Sequence, residues 1–97
     1  MSPLNAPAEV ISPKTIQDWL VVRVATQLNM QPEDVGVDIP FDRYNLESYD
    51  VVSIMAELED WLEQEFNDPT LMYQYNTIAT LSQYLGNHLL AVNESNP

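Results

Sequence analysis

Asn45-Leu46-Glu47-Ser48-Tyr49-Asp50-Val51-Val52 is the stretch where a polar loop gives way to an acidic amphipathic helix. Ser48 stands at the junction. A hydroxyl there can cap the helix, because a serine oxygen accepts one of the backbone N–H groups that a first turn leaves free. It can also be a handle for an anionic group. The orphan donors and the positive end of the helix dipole stabilise phosphate, so a serine here carries a phosphodiester without unfolding its surroundings. On patterning alone the cap is the simpler reading.

The helix that Ser48 opens is expected to run to Glu65, with Asn67-Asp68-Pro69 stopping it. Val51, Ile54, Met55, Leu58, Trp61 and Leu62 recur at helical spacing and form its core face. At about 100° per residue, Tyr49, Val52, Ala56, Glu59, Asp60 and Glu63 fall on the opposite side. That side has a small, mildly apolar centre and an acidic rim, with no lysine or arginine anywhere on the helix. Such a face suits docking to basic partners, where charge sets encounter rate more than affinity.

Upstream, Ser12-Pro13 is a cap followed by proline at the first helical position. Ile16, Leu20 and Val24 continue that first helix in one stripe flanked by Trp19 and Leu28, and it ends near Leu28 or Asn29. Residues 30–46 form a long connection. Val35, Val37, Ile39 and Phe41 alternate like a strand, but Pro40 interrupts and no partner strand exists. The reading is a loop pinned to the helices by those side chains, of a length that is often functional. Downstream, Thr70 to Tyr75 allows one short helical turn. Thr77 then caps a last helix with Ile78, Leu81, Leu85 and Leu89 in line, and Gly86 is expected to fray or end it early. The fold class is all-α, a three- to four-helix bundle with a long first loop. Residues 1–11 read as a flexible leader, 12–90 as the domain and 91–97 as a flexible tail.

Ninety-seven residues make one domain, able to bury about 65% of its unfolded surface. Fifteen acids face three bases, Lys14, Arg23 and Arg43, for a net charge of −12. That balance disfavours nucleic acid and anionic membranes and favours basic protein surfaces. The chain has no cysteine, hence no thiol nucleophile and no thiolate metal site. Two glycines, Gly36 and Gly86, make no phosphate loop, and the acids do not fit a calcium loop. His88, the one histidine, has no evident nucleophile beside it and reads as a boundary residue. The run Glu57-Leu58-Glu59-Asp60 reads as a solvated face. No catalytic residue and no metal site is expected. No apolar leader or spanning run is visible, so a cytoplasmic monomer is the expectation.

Three ordered stretches resemble acyl carrier proteins, especially the carrier domains of modular polyketide synthases. Phe41-Asp42-Arg43-Tyr44-Asn45-Leu46-Glu47-Ser48-Tyr49 resembles the family's loop and helix start around its modified serine. Glu57-Leu58-Glu59-Asp60-Trp61-Leu62 resembles the second half of its helix two. Pro69-Thr70-Leu71-Met72-Tyr73-Gln74-Tyr75-Asn76-Thr77-Ile78 resembles the approach to its last helix. The resemblance covers about residues 12–90. The family usually has Gly-x-Asp-Ser-Leu; here Asn45 stands for the glycine, Glu47 for the aspartate and Tyr49 for the leucine. Asparagine tolerates left-handed backbone, so Asn45 is expected to keep the family's loop geometry.

The resemblance implies a non-catalytic carrier. It places 4′-phosphopantetheine on Ser48, joined by a phosphopantetheinyl transferase, with acyl or polyketide intermediates held as thioesters on the arm. It implies partner recognition by Glu47, Tyr49, Asp50, Val52, Ala56, Glu59, Asp60 and Glu63. The implied partners are the transferase and acyltransferase, ketosynthase or acyl-activating enzymes with basic docking surfaces. Two other readings stay open: an aminoacyl or peptidyl carrier, and an unmodified acidic helical adaptor.

Overall fold

The computed structural model describes residues 12–66 and 68–94; the expected leader 1–11 and the end of the expected tail lie outside these. Four helices follow in order: α1 Pro13–Leu28, α2 Ser48–Leu62, α3 Leu71–Gln74 and α4 Ile78–Glu94. Two short 3-10 turns, Pro32–Asp34 and Phe41–Tyr44, punctuate the connection between α1 and α2. No strand forms among the described residues, in keeping with the all-α reading.

Helix α1 starts where Ser12 accepts the Thr15 N–H at 3.2 Å. It ends at Asn29, whose left-handed backbone (φ 62°) lets Asn29 and Met30 donate back to Thr26 and Ala25. Ile16, Leu20 and Val24 are wholly buried against α4, the helix α1 packs on most extensively. Ile54 and Leu58 of α2, Met72 of α3, and Ile78, Leu81 and Leu85 of α4 complete the core. Burying each large aliphatic side chain contributes about 1.5–3 kcal/mol. Trp19 and Trp61 stack at the edge of this core, centroids 5.2 Å apart and planes 8° from parallel. Beside them Arg23 reaches across from α1 to grip both carboxylate oxygens of Glu57 on α2, at 2.6 and 3.2 Å.

The long connection is a loop held by side chains and by backbone pairing. Val35 and Phe41 are buried and Val37 is half-buried, but Ile39 is 39% exposed and lies outside the core, so the pinning uses three of the four expected residues. Val37 C=O accepts the Ala79 N–H at 2.9 Å and Phe41 N–H donates to Asn76 at 2.8 Å, which ties the loop to the start of α4. Tyr44 Oη takes the Gly36 N–H at 2.7 Å and donates to the Gly36 C=O at 2.8 Å, closing the loop on itself.

Two expectations are corrected. Helix α2 stops at Leu62, not Glu65. Glu63 turns left-handed (φ 55°), and Glu63 and Gln64 donate back to Asp60 and Glu59. That Schellman closure ends the helix before Asn67-Asp68-Pro69 is reached. Gly86 neither frays nor ends α4, which continues to Glu94. Gly86 instead sits against Pro13 at the start of α1. The side chain of Leu89 lies outside those described.

Candidate functional site

The loop delivers the chain into α2 through Asn45, whose φ of 62° is left-handed, as the asparagine in place of glycine implied. Asparagine adopts that region at less cost than other side chains. Leu46 tucks partly into the core, and Glu47 follows as the N-cap residue of α2. Ser48 is therefore not the cap. It is the first helical residue, with the first intrahelical bond running from Val51 N–H to Glu47 C=O at 3.0 Å.

Asp50 serves the helix start in place of the serine. One of its oxygens accepts the Glu47 N–H at 2.9 Å, and the other accepts from Gln27 Nε2 of α1 at 2.5 Å. Ser48 is exposed, and its hydroxyl makes no hydrogen bond among the described residues. An accessible, unpartnered hydroxyl at a positive helix end is suited to bearing a phosphate ester.

A cleft of about 200 Å³ opens beside Ser48, walled by Phe41, Leu46, Val51, Met72 and Tyr73. Val51 also lines a second, larger groove of about 330 Å³ that follows Val52, Met55 and Ala56 to Pro69, with Glu59, Glu65 and Asp68 on its rim. Val51 is the residue that the cleft and the groove share. The serine, the free helix end and the apolar wall fit a phosphate-linked arm with a flexible continuation. Among the described residues no cluster of side chains is arranged to hold a metal ion.

The expected recognition residues divide by environment. Tyr49 and Val52 are strongly exposed, at 76% and 66%, and Ala56, Asp60 and Glu63 are exposed beyond them. Glu47 is exposed as the cap residue. Asp50 is half-buried with both oxygens in use, and Glu59 is half-buried with its carboxylate on the Phe66 N–H at 3.2 Å. The acidic run is therefore only partly a solvated face, since Glu57 and Glu59 are engaged within the fold. His88, read as a boundary residue, is exposed and stacks on Tyr84. Tyr73 and Gln27 were not singled out from sequence. Tyr73 is 63% exposed beside the serine cleft, and the only sign of it was its place in the stretch 69–78. Nothing local marks Gln27, which lies twenty-three positions from its partner.

The family model described as the phosphopantetheine attachment site matches residues 18–85. Polyketide synthase PksL of Bacillus subtilis is 33% identical over 76 residues, 75% of this chain; the chain spans only 2% of that protein's length. Asl1650 of Anabaena sp. PCC 7120, an acyl carrier protein with a variant phosphopantetheinylation-site sequence, is 35% identical. It superposes with a TM-score of 0.77, covering 92% of this chain and 97% of that one. A free-standing peptidyl carrier protein from a secondary metabolic pathway of Acinetobacter baumannii is 30% identical. Its TM-score is 0.76, covering 82% of this chain and 99% of that one.

Proposed function

The chain belongs to the phosphopantetheine attachment-site family as an acyl-carrier-protein-like domain, and on that premise we propose that Ser48 is the residue that bears the arm. The protein is a non-catalytic carrier, related to the carrier domains of polyketide and fatty acid synthases, that tethers acyl groups through phosphopantetheine. The arm supplies the thiol on which acyl groups are held as thioesters, chemistry that a chain without cysteine cannot supply itself.

The observation that carries the assignment is the exposed hydroxyl of Ser48 at the first position of α2, unpartnered among the described residues. In the transfer, Ser48 Oγ forms a bond to the phosphorus of the phosphopantetheine half of coenzyme A. The pyrophosphate bond to the nucleotide half breaks, and the serine proton passes to a base of the transferase. The helix end accommodates the resulting phosphodiester. Phe41, Leu46 and Tyr73 offer the adjoining arm an apolar wall. Tethering then raises the effective concentration of cargo at each partner site.

Partner enzymes are a transferase and synthase components as a class. Within that class, acyltransferases, ketosynthases or acyl-activating enzymes with basic rims around an apolar anchor suit the exposed Tyr49–Val52–Ala56 strip and the flanking Asp60 and Glu63. The departures at Asn45, Glu47 and Tyr49 are compatible with this role, since Asl1650 also combines a variant site with carrier status. A cytoplasmic setting goes with the reading, because the donor of the arm is an intracellular metabolite. Aminoacyl or peptidyl cargo is the second reading, favoured by the likeness to a peptidyl carrier protein.

The experiment is co-expression with a broad-specificity phosphopantetheinyl transferase followed by intact-mass analysis. The wild-type chain gains one arm and Ser48→Ala gains none. A wild-type chain left unmodified by several transferases would leave the acidic adaptor as the better account.

A further inference from the structure

The first turn of α2 has two competing registers. In the observed one Glu47 is the N-cap and Val51 N–H bonds to Glu47 C=O. In the other, one residue later, Ser48 would be the N-cap and its Oγ would accept the Asp50 or Val51 N–H. Local preference favours the second, because serine is among the best N-cap residues and glutamate is not. The observed register therefore needs support from elsewhere.

Asp50 supplies it. At the third helical position it accepts the Glu47 N–H, the reach-back bond of a capping box. Shifted by one, Asp50 would stand at the second position and Val51 at the third, and Val51 has nothing with which to accept the Ser48 N–H. The second Asp50 oxygen is held by Gln27 Nε2, so the start of α2 is fastened to the C-terminal end of α1. Both side chains are half-buried, where water competes less for such a bond.

We propose that Asp50, fastened by Gln27, is a positioning residue that holds the start of α2 one residue upstream of Ser48 and so keeps the serine hydroxyl from being consumed as a helix cap. The inference rests on Ser48 being the attachment residue. A capped Oγ has a lone pair committed to a backbone N–H and turns toward the helix end. Freeing it burdens the transfer step and leaves the encounter with the transferase unchanged. The expected signature is a lower kcat at nearly constant KM for the carrier.

Three variants of the full chain separate this role from a direct contact between Asp50 and the transferase. Asp50→Ala removes both bonds. Asp50→Asn removes the charge but can still accept the Glu47 N–H and face a turned Gln27 amide. Gln27→Met removes the fastening and leaves the α2 surface untouched. Transfer from coenzyme A is measured for each as kcat and KM, with amide NMR of Glu47, Asp50 and Val51 as a readout independent of modification. Asp50→Ala should lose about fivefold to tenfold in kcat, the scale of one helix cap. Its Val51 amide should shift as it leaves the Glu47 C=O and bonds to Ser48. Asp50→Asn should stay within about twofold of wild type, and Gln27→Met should fall between, as partial loss of one bond would.

An Asp50→Asn variant as slow as Asp50→Ala would overturn the proposal, since charge and not register would then matter. So would a Gln27→Met variant with wild-type kcat and amide shifts. If Asp50→Ala does not fold, the other two variants still decide. If the wild-type chain takes no arm at Ser48, the site assignment fails, whereas the amide shifts still report whether Asp50 and Gln27 set the register.

Discussion

Gly86 of α4 lies so close to Pro13 of α1 that a Cβ built on it would stand 2.6 Å from Pro13 Cγ and 2.7 Å from the Pro13 nitrogen. The two helices meet there with no room for a methyl group. Because one of the opposing atoms is backbone, the contact cannot be relieved by turning a side chain. Gly86→Ala should gain about 0.5–1 kcal/mol from helix propensity. It should lose about 1–3 kcal/mol to overpacking. Net destabilisation by denaturant unfolding is the expected outcome, and a more stable variant would show that the helices part freely.

Glu63 is the one residue other than asparagine among the described residues that holds a left-handed backbone, at φ 55°. A non-glycine side chain there costs about 1–3 kcal/mol, while glycine gives back roughly 0.5–1 through its freer unfolded chain. Glu63→Gly should therefore raise stability by about 1 kcal/mol. Thermal unfolding checks this, and an unchanged midpoint would mean that α2 ends differently in solution.

Asp68 sets the start of α3. Its carboxylate accepts from the Thr70 hydroxyl at 2.6 Å, the Thr70 N–H at 3.0 Å and Gln74 at 3.2 Å. The Thr70 hydroxyl first, then the Thr70 N–H, hold its pKa below the ordinary aspartate value of 3.8. A lowered carboxylate pKa adds stability well above 3.8 that is lost as the pH falls through the lowered value. The stability difference between wild type and Asp68→Asn should accordingly be largest near neutrality and shrink as the pH falls through the lowered value. A difference that is the same at both ends would remove the charge of Asp68 from the account.

Asp60 and Glu63 are exposed at the far end of α2 from Ser48 and form no ion pair among the described residues. Reversing both to lysine should leave circular dichroism helical, since surface charges contribute only about 0–1 kcal/mol per pair. Association with a basic transferase should slow by roughly tenfold at low ionic strength, and the deficit should shrink as salt screens it. Equal rates at low salt would take these acids off the recognition surface.

Much of this was legible in the chain because the signals were local. Ser12-Pro13 marks the start of α1, the Ile16–Leu20–Val24 stripe marks its buried face, and Asn45 announces the left-handed turn before Ser48. Most of the misses have tertiary causes. Ser48 looked like the cap, but Glu47 takes that position, with Asp50 on the Glu47 N–H and Gln27 of another helix donating to Asp50. Asn67-Asp68-Pro69 looked like the end of α2, but the Schellman closure at Glu63 and the Glu59 carboxylate on Phe66 N–H end it first. Gly86 looked like a helix stop because its partner, Pro13, is seventy-three positions away. The cleft beside Ser48 joins residues 41, 46, 48, 51 and 73, which share no periodicity.

The central claim is that the hydroxyl of Ser48 bears the arm, and fragment-ion mass spectrometry of the modified chain tests it most directly. The chain is incubated with coenzyme A and a broad-specificity transferase, digested, and the modified residue located within the peptide spanning Ser48 and Ser53. The account predicts one arm, on Ser48, absent from Ser48→Ala and retained in Ser53→Ala. An arm found on Ser53, or one that persists in Ser48→Ala, would contradict it.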